Sequence, residues 1–76
     1  VVARGVNFVA GSPPPTPRRI EARVRHRQAP APATLQVRDA TTVEVEFEVA
    51  QRAVAPGQSV VFYEGDVVLG GGVIAA

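Results

Sequence analysis

Between positions 43 and 49 the chain reads Val-Glu-Val-Glu-Phe-Glu-Val, apolar at every odd position and acidic at every even one. A period of two is that of a strand with one face in a core and the other in water, so this stretch predicts a strand over 41–49. The same alternation runs through 18–27, where Ile20, Ala22 and Val24 share one face and Arg19, Glu21, Arg23, Arg25 and Arg27 the other. Shorter apolar runs predict strands at 6–9, 33–38, 58–63, 67–69 and 73–74. The breaks between them carry turn chemistry. Residues 10–17 hold four prolines, which remove backbone donors and fix φ, so this stretch is an extended loop that no helix crosses. Residues 28–32 form a Pro/Ala connection, and Asp39-Ala40 turns 33–38 into 41–49 as a hairpin. Gly57 and Gly65 supply the positive φ that the turns flanking 58–63 require.

Six or seven short strands without any helical period predict an all-β fold, a small antiparallel β-barrel whose closure leaves no exposed edge. In such a barrel the triplet Gly70-Gly71-Gly72 allows a bulge or a close backbone approach at a corner. Phe8, Phe47, Phe62 and Tyr63 are the core candidates, although alternation sends Phe62 and Tyr63 to opposite faces and leaves one of them for a neighbouring domain or a ligand.

Composition supports this reading. Fifteen valines against two leucines favour strands over helices. Seventy-six residues make one small domain with a thin margin of stability, since a chain of this size buries only about 60% of its unfolded surface. The absence of cysteine and the single histidine exclude a disulfide framework and a zinc shell. The weakly polar run 67–76 is too short for a bilayer crossing, so no membrane partner is expected, and a cytoplasmic protein fits. The net charge of +1 conceals a division. Residues 1–38 hold seven Arg against one acid, and residues 39–76 hold one Arg against six acids.

Two segments carry a family resemblance. Arg23-Val24-Arg25-His26-Arg27-Gln28-Ala29-Pro30 resembles a Lys-Ile-Arg-Tyr-Arg-Gln segment followed by proline. Ala55-Pro56-Gly57-Gln58 and the strand, turn and glycine triplet after it resemble the closing hairpin of the same family. Gly5-Val6-Asn7-Phe8 and Val43-Glu44-Val45-Glu46-Phe47 are weaker matches. The family is that of the tRNA-specific 2-thiouridylases (MnmA/TrmU), and the resemblance covers nearly the whole chain. His26 stands where the family usually has Tyr, and Ala33 and Val68 stand where many members have cysteine.

The resemblance implies that residues 1–76 are a single C-terminal β-barrel domain of a larger enzyme, similar to domain two of translation elongation factors. It implies a parent that is an ATP-dependent tRNA-uridine 2-sulfurtransferase, with ATP and two catalytic cysteines in an N-terminal domain outside this sequence. The barrel itself is expected to lack catalytic residues and cofactors, and to bind tRNA near the anticodon beside its own catalytic domain. In the family the Arg-Tyr pair and the Gln of Pro-Gly-Gln touch tRNA, which carries over to Arg25, His26 and Gln58. Arg23 and Arg27 join them because residues two apart in a strand face the same way, roughly 6.5 to 7 Å apart, near the spacing of RNA phosphates. From spacing alone the arginine row is as well explained by pairing with Glu44, Glu46 and Glu48, a solvated face worth little energetically. Arg52 is either an RNA contact or a salt-bridging anchor of its loop, and the anchor is preferred. A barrel that only packs against another domain, with no RNA affinity of its own, is the alternative.

Overall fold

The computed structural model describes residues 1–24, 29–52 and 54–75, and within them every regular element is a strand. These are β1 (Val2–Phe8), β2 (Arg18–Arg23), β3 (Ala31–Val37), β4 (Val43–Phe47), β5 (Ser59–Glu64) and β6 (Val67–Ile74). Hydrogen bonding closes them into a barrel in the order β1-β4-β3-β2-β5-β6, every neighbour antiparallel. The expected antiparallel barrel is therefore what forms.

Alternation determines the interior. Ile20, Ala22, Ala33, Leu35, Val43, Val45, Val60 and Phe62 are all buried, and no polar or charged residue among the described residues is buried with them. Phe8 stacks on Phe62 with ring centroids 6.4 Å apart and closes the interior from one side. Phe47 packs half-buried at the rim, whereas Tyr63 stays on the outer wall because Phe62 takes the inward position on β5. Burying eight apolar side chains of this kind is the main stabilising term for so small a domain.

Three strand expectations need correction. β1 begins at Val2, because Val1 already exchanges backbone hydrogen bonds with Val45. β4 ends at Phe47 and leaves Val49 71% exposed, since the backbone turns away once the Glu48 amide has bonded Pro32 O at 3.1 Å. The glycine triplet does not separate two strands but lies inside β6. There β6 passes so close to its neighbours that a Cβ at Gly71 would lie 2.7 Å from Val60 O, and one at Gly72 2.8 Å from Arg4 O. The register shift beside the triplet, from Phe62↔Gly70 to Tyr63↔Val68, leaves Leu69 as the extra residue. That bulge inverts the facing of the residues before it, so Val67 and Val68 are exposed.

The turns are built as their residues dictate. Gly57 and Gly65 take φ of 91° and 59°. The Asp39 carboxylate accepts the Thr41 N–H at 2.9 Å, and this bond holds its carboxyl below the ordinary aspartate value. The proline loop after β1 is latched to β3, where the Thr16 hydroxyl accepts the Val37 N–H at 3.1 Å and the Gln36 Nε2–H at 3.2 Å.

Candidate nucleic-acid interface

Antiparallel order sends β2, β4 and β6 out at one rim of the barrel, where β1, β3 and β5 begin. This rim gathers the two segments singled out in the sequence. The register Glu21↔Tyr63, Ala22↔Phe62, Arg23↔Val61 brings the end of β2 alongside the first half of β5, with Arg23 opposite a residue two positions from Ser59 and three from Gln58. Arg25, His26 and Arg27 lie outside the described residues; Arg23 and Gln58 lie within them.

Gln58 is held by its own turn. Gly57, in its left-handed conformation, donates to Ile74 O at 2.9 Å, and the Gln58 carbonyl accepts from Ile74 N at 2.8 Å. The side chain folds back so that Oε1 accepts the Ala55 N–H at 2.8 Å. A backbone donor at that place requires the amide oxygen there, so Nε2 points away from the turn, and it has no partner among the described residues. Gln58 thus shapes the loop with one end of its amide and presents a donor with the other. Arg52, in the same loop, is exposed and belongs to no ion pair among the described residues, so the anchoring expected of it is not seen.

Arg23 leaves β2 on the outer wall. Its Nη2 donates to Tyr63 Oη at 2.8 Å, and its guanidinium carbon lies 5.4 Å from the centre of the Tyr63 ring. Glu21, two residues back on the same face, turns instead to the Gly65 N–H, 3.2 Å from Oε1. Among the described residues, therefore, no carboxylate neutralises Arg23.

The acidic row is engaged elsewhere. β3 lies between β2 and β4, so Glu44, Glu46 and Glu48 cannot pair with the arginine row strand to strand. Glu44 binds Arg38, and Glu48 reaches Arg19 at 2.8 Å. Arg18 forks onto Glu64, with Nε–Oε2 of 3.0 Å and Nη2–Oε2 of 2.7 Å. These exposed pairs each contribute about 0–1 kcal/mol. Their consequence is the distribution of charge: Arg18, Arg19 and Arg38 are compensated, while Arg4, Arg23 and Arg52 have no carboxylate partner among the described residues. The pairing of Arg23 with Tyr63 escaped the sequence reading. Alternation put Phe62 and Tyr63 on opposite faces without saying which faced out, and only the adjacency of β2 and β5 brings Arg23 and Tyr63 together.

The family described as Aminomethyltransferase beta-barrel domain matches residues 1–74, all but the last two positions of the chain. The chain belongs to that family. Its curated relatives carry the family's barrel at the C-terminal end of a longer protein. Among them are the tRNA-specific 2-thiouridylases MnmA of Clostridioides difficile, 42% identical over 74 residues, and of Stenotrophomonas maltophilia, 53% identical over 70. These alignments cover 97% and 92% of this chain but only 20% and 18% of the relatives. The MnmA of Pseudomonas fluorescens is 58% identical over 59 residues, 78% of this chain and 16% of its own. The chain thus spans about a fifth of the length of these relatives. Among the described residues no helix is long and apolar enough to cross a membrane, and no group of three or more metal-ligating side chains gathers.

Proposed function

We propose that this barrel is the tRNA-holding domain of a cytoplasmic, ATP-dependent tRNA-uridine 2-sulfurtransferase that thiolates the wobble uridine. Its relatives are tRNA-specific 2-thiouridylases, and the observation that carries the reading is the rim itself. The Gln58 turn with exposed Arg52 in its loop meets the end of β2 there, where Arg23 leaves the strand without a carboxylate partner among the described residues, while Arg18 and Arg19 of β2 and Arg38 after β3 are tied to carboxylates. In this reading ATP and the sulfur-transferring cysteines belong to a separate catalytic domain. The barrel binds no cofactor and performs no chemistry. In this reading Arg25, His26 and Arg27, which follow β2 in sequence, contact the RNA, guanidinium groups fork onto phosphate oxygens, and the Gln58 Nε2–H donates to a base edge or ribose of the anticodon arm.

Binding of this chain to an anticodon stem-loop at two salt concentrations tests it. Affinity should fall steeply with salt, and Arg25→Ala should reduce the slope of log K against log salt by about 1. Gln58→Ala should weaken binding without changing that slope. A folded sample with no measurable binding at low salt rejects the proposal.

The second reading, packing against the catalytic domain, draws on a different surface. At the opposite rim Val9 is 75% and Val67 63% exposed, beside a groove of about 360 Å³ lined by Phe8, Leu69 and Pro13 to Pro15. An apolar surface of this kind suits a protein neighbour better than RNA. The two readings occupy opposite ends of the barrel.

A further inference from the structure

The outer wall between β2 and β5 holds a side-chain pair of which the rim reading uses only Arg23. Tyr63 is half-buried, directed outwards by alternation with Phe62, and hydrogen-bonded through its hydroxyl to Arg23. The guanidinium lies against the ring side at 5.4 Å, so one cation and one π surface form a single unit. Nothing in the barrel's stability calls for the unit to be cationic. No carboxylate among the described residues pairs with Arg23, and the one acid on the same face, Glu21, is turned to the Gly65 amide. On β6 the exposed Val68 stands directly opposite Tyr63, and Gly71, opposite Val61, brings no side chain to the wall. The wall thus sets an aromatic ring beside a cation and the apolar Val68 side chain, and β5 connects it to the Gln58 rim.

We infer that Tyr63 and Arg23 form a stacking platform for an unpaired RNA base, with the Tyr63 ring against the base and the Arg23 guanidinium on the adjoining phosphate. This rests on the tRNA-holding reading and extends it from the rim up the barrel wall. An aromatic ring held by an arginine on a β-sheet surface is the chemistry that captures single-stranded RNA, because every base has a π face and every nucleotide a phosphate. The hydrogen bond between Arg23 and Tyr63 fixes the ring before RNA arrives, which lowers the ordering cost of binding. A flipped or loop nucleotide fits such a platform; a base inside a duplex does not.

The chain carries its own reporter, since Tyr63 is the one tyrosine and there is no tryptophan. Its fluorescence is therefore that of the platform alone. Adding a single-stranded oligouridylate should quench it, whereas an inorganic polyphosphate of matching charge should bind the arginines and leave it unchanged. Tyr63→Leu, which keeps an apolar side chain on the wall, should weaken oligonucleotide binding roughly tenfold. Tyr63→Phe, which keeps the ring, should stay within about twofold of the parent. Circular dichroism confirms that each variant is folded. If Tyr63→Leu binds as tightly as the parent, or polyphosphate quenches as strongly as RNA, the platform is wrong while the rim reading stands. If the unaltered chain binds no RNA, both fall together.

Discussion

A missing side chain at Gly70 does more for this barrel than most of the side chains present. A Cβ there would press into the Asn7 carbonyl oxygen and come within 3.0 Å of Phe8 Cα, both fixed parts of β1. Because the obstacles are backbone, the clash cannot be relieved by a rotamer change, and β1 and β6 would have to part. Gly70→Ala should therefore cost about 3 kcal/mol or more in urea-induced unfolding. Gly65→Ala is the control. Its φ of 59° disfavours a side chain, but nothing lies within 4 Å of the added Cβ, so the loss should be about 1 kcal/mol. The ordering of the two separates close approach from backbone conformation as the reason for glycine.

At the scale of elements, the latch between the proline loop and β3 makes a similar test. Thr16→Val removes the acceptor for the Val37 amide while keeping the shape, and should cost about 1 kcal/mol, with amide exchange accelerated at Val37 and not at Leu35. Elements are also where sequence and structure can be compared most closely. The stretches around Val43 to Phe47 and Ile20 to Ala22 were legible because strict alternation leaves only one face to bury. Val49 was misassigned because it continues that alternation in sequence after the backbone has already left the sheet. The glycine triplet is a break between strands on propensity alone, whereas the close approach and bulge also expected of it do occur and keep it inside β6. Strand order was beyond a periodicity argument, since alternation says which way a residue faces and nothing about its neighbours. Hence alternation alone could not say that β3 lies between β2 and β4, nor that Arg19 nevertheless reaches Glu48 across it. Of the candidate site, the turn geometry around Gln58 was readable from Pro56-Gly57, whereas the partnership of Arg23 with Tyr63 was not.

For the molecule as a whole, the decisive feature is where the barrel is sewn together. β1 and β6 are neighbours, and Ala75 N donates to Val2 O at 2.8 Å, so the two ends of the chain emerge side by side at the Gln58 rim. This makes the barrel mechanically unequal in different directions. Tension applied between residues 1 and 75 opens the seam like a zip, breaking its hydrogen bonds one after another. Tension between residues 1 and 65, which lie at opposite rims, drags β1 along β6 and loads the same bonds together. Single-molecule pulling should record a markedly lower rupture force in the first geometry than in the second, and equal forces would mean that the seam is not where resistance lies. A domain so fastened is firm against a load running along its strands and yields readily to a tug on its own two ends.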